Sequence, residues 1–169
     1  MTKNEIKGIT KKWFFSKDFQ KADTNTKEFA GLSGATCYIY VLSNFFLYVL
    51  FDKDRFSEKF EIIVGFKLKD NYHTGWGNIN TRIPNFLKGK YTAIHKKKIY
   101  GYKYEEWEKE DYLACLEMIY DIYIKPYFEL GIDLLKIIAK DPSCGGKFGA
   151  TKEFPYFIHP DAVDKILRM

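Results

Sequence analysis

The stretch that most constrains the fold is Cys37–Phe51, which reads CYIYVLSNFFLYVLF. Ser43-Asn44 separates two apolar runs that are rich in aromatic and β-branched residues, a composition typical of strands. Because asparagine tolerates the positive φ of a two-residue hairpin turn, the two runs are predicted to pair as an antiparallel hairpin. The predicted register places Tyr40 opposite Leu47 and Ile39 opposite Tyr48. Both faces of the hairpin are apolar, so we expect it to lie centrally in a sheet, covered on one face by helices and also covered on the other.

A membrane helix is the alternative for this region, because Ala30–Phe51 carries no charge over about the length that a transmembrane helix needs. Gly, Ser and Thr fill much of its first third, and Ser43-Asn44 interrupts its centre. The apolar residues are largely aromatic or β-branched, which favours strands over a helix. We therefore expect a protein that does not associate with a membrane.

Further strands and helices are predicted on both sides of the hairpin. Phe60–Leu68 alternates apolar and mostly polar residues with period two, as a half-buried strand does. The region Lys90–Tyr104 reads as a lysine-protected edge strand. Thr2 and Glu5 form a T-x-x-E capping box that opens a first helix, predicted to end near Lys12. A long helical region follows from about Glu105, and Pro126 must kink or restart it.

This order of strands followed by helices indicates an α+β fold. The chain has 169 residues, 46% of them hydrophobic, which is about the size of one domain with a single core. We find no internal repeat and no linker that divides the chain. The prediction is one α+β domain over residues 1–169, with an antiparallel sheet of about four to five strands packed by the N-terminal helix and by helices of the C-terminal half.

The sequence contains few residue patterns that indicate catalysis. The histidines His73, His95 and His159 lack metal-site spacing, although a site assembled by folding stays open. Gly145–Lys152 is glycine-rich but does not match a phosphate-binding P-loop. Cys144 is the one cysteine in a polar stretch, since Cys37 and Cys115 lie in apolar patterns. We predict no catalytic residue, no metal and no cofactor.

The cysteines and the N-terminus indicate the compartment. Three cysteines at wide spacing, with no CxxC pair, are not a disulfide framework. The lysine-rich start lacks the apolar core of a secretory signal. We therefore expect a cytoplasmic protein.

Two kinds of binding surface can be assigned to the remaining residues. Interfaces favour aromatic anchors with charged rims. The predicted protein-binding surface consists of Trp76, Tyr100, Tyr102, Tyr104, Glu105 and Glu106. The alternative is a nucleic-acid-binding ribbon in the stretch HKKKIYGYKY, residues 95–104, in which lysines contact phosphates and tyrosines stack on bases. Its cationic residues are Lys96, Lys97, Lys98 and Lys103. The net charge of +5 is mildly basic and does not by itself require a polyanionic partner.

The segments WFFSKDF and IKPYF, with apolar strands and a Trp-led helix between them, give the chain a resemblance to a known family. Over Lys3–Leu130 it resembles the uncharacterised bacterial domain of unknown function 4304. The resemblance implies a compact α+β fold and assigns no catalytic residue. The scarcity of catalytic patterns and the abundance of Tyr, Phe and Trp lead us to expect a small, non-catalytic bacterial protein-binding domain, similar to an inhibitor or immunity protein.

Overall fold

A computed structural model of the chain describes residues 1–26, 28–29, 35–53, 59–69, 79–82, 102–140, 157–158 and 160–169. The helices of these residues are α1 (Lys3–Ser16), α2 (Lys109–Ile119), α3 (Lys125–Leu130), α4 (Ile132–Lys140) and α5 (Pro160–Arg168). The strands are β1 (Gln20–Lys21), β2 (Thr36–Val41), β3 (Phe45–Lys53), β4 (Lys59–Leu68), β5 (Ile79–Arg82), β6 (Tyr102–Lys103) and β7 (Phe157–Ile158). None of the described helices has the length and apolar character needed to cross a bilayer.

The strands form one antiparallel sheet in the order β1-β2-β3-β4-β5-β7, with β6 paired to the start of β4. The α+β class is therefore confirmed. Four strands, β2 to β5, have four or more residues and make up the body of the sheet, which agrees with the predicted number, although β5 was not among the predicted strands. The other three strands have two residues each and extend it at its margins.

The central hairpin has the predicted register. Ile39 pairs with Tyr48 and Tyr40 with Leu47, and the turn is closed by a 3.0 Å hydrogen bond from Leu42 N–H to the Phe45 carbonyl. The reason given for the turn was wrong, because Asp18 is the one non-glycine residue with positive φ in the described part of the chain. The two-residue turn at Ser43-Asn44 thus has the predicted position, which determines the register, but it does not have the predicted positive φ.

Strand β4 differs from its prediction on one face. Phe60, Ile62, Val64, Phe66 and Leu68 contribute to the core under the helices, as expected from their alternation. The opposite face was predicted to be mostly polar, yet Ile63 and Lys67 on it are buried. Ala22 and Phe29 pack in a second apolar cluster on that face, so the chain between β1 and β2 supplies the cover.

Helix α1 begins at the predicted capping box. The Thr2 hydroxyl accepts from Glu5 N–H at 3.3 Å, and Thr2 N–H donates to the Glu5 carboxylate at 2.7 Å. The helix ends at Ser16, beyond the predicted end near Lys12. Phe14 is therefore part of α1. Its side chain is buried, and its ring stacks on that of Tyr38 of β2.

The C-terminal helical region is interrupted at two places. A π-helical turn over Tyr120–Ile124 separates α2 from α3, and Pro126 lies in the first turn of α3, as the predicted restart requires. Gly131 then adopts a φ of 53° between α3 and α4, a conformation that favours glycine. The helices α1, α2, α3 and α4 pack over the same face of the sheet in one hydrophobic core.

Candidate functional site

Half of the residues of the two predicted surfaces lie outside the described part of the chain. These are Trp76, Tyr100, Lys96, Lys97 and Lys98, and the histidines at 73, 95 and 159 and Cys144 also fall there. Tyr102 and Lys103 form β6, whose backbone pairs with β4 at Phe60 and Lys59. The described part of the predicted site is therefore the segment from β6 to the start of α2.

Tyr104 does not fit its predicted role as an exposed aromatic anchor. Its side chain is only 3% exposed, and its ring stacks on Phe60 with centroids 5.0 Å apart. Trp107 is 1% exposed and meets Tyr112 edge to face. Because the sheet and α2 bury both rings, a partner protein cannot use either ring as its contact.

The carboxylates around these two aromatics are exposed. We define the acidic turn as Glu105–Glu110, which spans the end of a 3₁₀ turn (Tyr104–Glu106) and the start of α2. Its exposed acidic residues are Glu105, Glu106, Glu108 and Glu110. Lys103 lies 3.7 Å from the Glu105 carboxylate, and Lys109 adds one exposed cation inside the turn. Acidic side chains outnumber basic ones at this surface.

The backbone of the acidic turn is held in place from beneath. The amino nitrogen of Met1 donates a 2.8 Å hydrogen bond to the Trp107 carbonyl, and Trp107 N–H donates to the Tyr104 carbonyl at 3.3 Å. The Lys3 ammonium lies over the Tyr104 ring, 5.8 Å from its centroid. Buried rings and backbone hydrogen bonds thus hold the carboxylates on an ordered scaffold.

The described cysteines are unsuited to nucleophilic catalysis. Cys37 and Cys115 are fully buried, and burial raises the pKa of each thiol to about 12. The nucleophile would be the thiolate, which is scarce at neutral pH when the thiol pKa is so high. In the described ranges, no group of three or more His, Cys, Asp or Glu side chains is placed to hold a metal ion.

Lys67 is a buried cation that the sequence analysis assigned to a solvated strand face. Its side chain is 2% exposed, donates a hydrogen bond to the Glu28 carbonyl and lies 5.6 Å from the Phe29 ring centroid. Burial lowers the pKa of the ammonium, while the charge of Glu28 opposes that shift. Lys67 thereby attaches the Glu28–Phe29 segment to the sheet. The signal that could have identified it is the second apolar face of the hairpin, which required a cover.

Comparisons with known protein families, with curated proteins and with solved structures find no match to this chain. The resemblance to the domain of unknown function 4304 therefore stays a prediction.

Proposed function

We propose that this chain is a non-catalytic, inhibitor- or immunity-like cytoplasmic domain that binds a basic surface of another protein through the acidic turn. The observation on which the proposal depends is the exposure of four carboxylates on a backbone that Tyr104 and Trp107 anchor in the core. The buried thiols of Cys37 and Cys115 support a binding function over nucleophilic chemistry at these two residues.

An anchored acidic surface suits recognition of a cationic partner for two physical reasons. Complementary charges accelerate association and disfavour partners of the wrong sign. A backbone that is already ordered loses less conformational freedom on binding than a flexible segment does. In this proposal Trp76, Tyr100 and Tyr102 remain the predicted aromatic contacts, and Glu105 and Glu106 are the charged ones.

The test compares two double variants that change the net charge equally. Glu105→Gln/Glu106→Gln neutralises the 3₁₀ part of the acidic turn, and Asp121→Asn/Asp164→Asn neutralises two exposed acids elsewhere. A protein partner is first recovered by cross-linking in the source cells and identified by mass spectrometry, and its binding kinetics are then measured at several salt concentrations. We expect slower association and a weaker salt dependence for the Glu105/Glu106 variant alone.

Two results would contradict the proposal. Equal association rates for the two variants would mean that the acidic turn is not the contact. Recovery of nuclease-sensitive material in place of a protein would favour the nucleic-acid alternative through Lys96, Lys97, Lys98 and Lys103. In that alternative Lys103 would have to exchange its contact with Glu105 for a phosphate.

A further inference from the structure

Three lysines line a cavity between α1 and the β1–β2 margin of the sheet. Lys7 and Lys11 are one turn apart on α1, and Lys21 comes from β1. The cavity has a volume of about 210 Å³, and Thr36 and Tyr38 of β2 contribute to its wall. The residues come from separate segments, so only the folded chain brings them together.

Within the described ranges, the positive charge at this cavity is not balanced by carboxylates. Among the described residues, no carboxylate lies within ion-pair distance of Lys7, Lys11 or Lys21, whereas Lys17, Lys103 and Lys125 each have one. The Lys11 ammonium lies over the Phe15 ring, 5.4 Å from its centroid. Like charges one turn apart destabilise a helix slightly, so Lys7 and Lys11 carry a cost that a bound anion would remove.

The wall of the cavity adds neutral hydrogen-bond donors. Thr36 and Tyr38 of β2 line the cavity, and a threonine hydroxyl and a phenol can each donate a hydrogen bond. Burial raises the pKa of Tyr38 to about 12, so the phenol keeps its proton at neutral pH and can donate it. Thr10 also lines the cavity, but its hydroxyl is bonded to the Ile6 carbonyl and to Tyr112.

Ammonium and hydroxyl donors around one small space are the groups that bind tetrahedral oxyanions. Lysine binds phosphate as a point charge, and hydroxyl groups donate to the remaining oxygens. The volume is below the roughly 300–1,000 Å³ of sites for drug-sized ligands, so it suits one phosphoryl group better than a whole nucleotide. Phe51 lines the same cavity and provides an apolar contact for a small organic substituent.

We propose that the cavity formed by Lys7, Lys11, Lys21, Thr36 and Tyr38 is a binding site for a phosphoryl group, as inorganic phosphate or as a small phosphate monoester. This site is separate from the acidic turn and does not depend on the proposed protein-binding function.

The first experiment is a titration of the full chain with inorganic phosphate at constant ionic strength, followed by the backbone amide signals in NMR spectra. We expect saturable shifts at Lys7–Lys11, Lys21 and Thr36–Tyr38. Lys21→Gln and Lys7→Gln/Lys11→Gln should each weaken binding about tenfold or more, because a hydrogen bond to a charged group is lost. Thr36→Val should weaken it less, and Lys12→Gln, an exposed neighbour outside the cavity, should leave it unchanged.

A second set of ligands identifies the source of the phosphoryl group. Phenyl phosphate should bind at the same amides, and a 5′-phosphorylated oligonucleotide is compared with the same oligonucleotide ending in a hydroxyl. If phenyl phosphate binds while both oligonucleotides bind weakly and equally, the ligand is a small phosphate ester. If the phosphorylated oligonucleotide binds clearly better than the one that ends in a hydroxyl, the ligand is a terminal phosphate. Shifts that do not saturate, or an equal loss in Lys12→Gln, would overturn the proposal. Equally tight binding of both oligonucleotides at these amides would also overturn it, since it indicates a general polyanion surface.

Discussion

The indole N–H of Trp13 donates a 2.7 Å hydrogen bond to a carboxylate oxygen of Glu117, which ties α1 to α2 across 104 positions of sequence. The second oxygen of the same carboxylate lies 3.3 Å from the Lys17 ammonium. That ammonium also lies over the rings of Trp13 and Tyr120, at 5.4 and 4.5 Å from their centroids. One carboxylate therefore joins an indole, a cation and two helices at the edge of the core.

Two substitutions of Glu117 separate the contribution of the Trp13 hydrogen bond from that of the Lys17 ion pair. Glu117→Ala removes the acceptor of the partly buried Trp13 indole, and we expect it to lower the free energy of unfolding by about 1–2 kcal/mol. Glu117→Gln keeps an amide oxygen for the indole and loses only a half-exposed ion pair, so about 0.5 kcal/mol is expected. Urea unfolding of both variants and the parent measures the difference. Equal losses in the two variants would mean that the indole hydrogen bond contributes little.

Asp18 ends α1 in the left-handed conformation that usually belongs to glycine. Its φ is 63°, and Phe19 N–H donates to the Phe14 carbonyl at 3.1 Å while Asp18 N–H donates to the Phe15 carbonyl at 3.2 Å, the two bonds of a Schellman motif. The Phe14 and Phe19 rings meet with centroids 5.3 Å apart, which completes it. The motif explains why the helix continues past Lys12.

We expect Asp18→Gly to raise the free energy of unfolding by about 0.5–1 kcal/mol, because glycine adopts this conformation without strain. Asp18→Val should lower it, since a β-branched residue is strongly disfavoured at positive φ. Thermal or urea unfolding of the pair tests the claim. A destabilised glycine variant would show that the Asp18 side chain, and not its backbone conformation, determines the stability of this helix end.

Lys67 should make stability depend on pH with a definite sign. Because burial lowers its pKa in the folded protein, the unfolded chain binds more protons between that lowered value and 10.5, the ordinary value for lysine. The free energy of unfolding of the wild type should therefore rise, relative to Lys67→Met, as pH increases from neutral toward 10.5. Methionine has a similar volume and no proton to lose, so titrating groups that do not interact with Lys67 cancel in the difference. A difference that stays constant over this pH range would contradict the burial of the ammonium.

The sequence predicted those features that depend on local pattern and failed where a distant segment changes the environment. The position of the Ser43-Asn44 turn was sufficient to predict the pairing of Tyr40 with Leu47. The burial of Lys67 was missed because the period-two pattern of β4 places this lysine on the face predicted to be exposed. In the folded chain the Glu28–Phe29 segment covers that position. The exposure of Glu105 and Glu106 followed from their charge, whereas Tyr104 turned inward onto Phe60. The proposed phosphoryl site was not predictable, because the packing of α1 on the sheet brings Lys7 and Lys21 to one cavity.

The buried hydroxyl pair of Thr10 and Tyr112 gives the sharpest test of how α1 is attached to α2. The Thr10 hydroxyl donates its single proton to the Ile6 carbonyl at 2.7 Å, so the 2.6 Å contact between the two hydroxyls must use the proton of Tyr112. Thr10→Val removes the acceptor and leaves the Tyr112 phenol buried without it, at an expected cost of about 1–3 kcal/mol. Tyr112→Phe removes the donor, while the Thr10 hydroxyl keeps its bond to Ile6, so its cost should be smaller.

In the double variant Thr10→Val/Tyr112→Phe both polar groups are absent, and no buried group lacks a partner. We therefore expect its loss of unfolding free energy to be smaller than the sum of the two single losses by about 1 kcal/mol or more. Urea unfolding of the four proteins completes the cycle, and the absence of a large cavity in either variant keeps packing terms small. If the losses of unfolding free energy are additive, the two hydroxyls are not joined by a hydrogen bond. Apolar contacts and the Trp13–Glu117 hydrogen bond would then hold α1 on α2 instead.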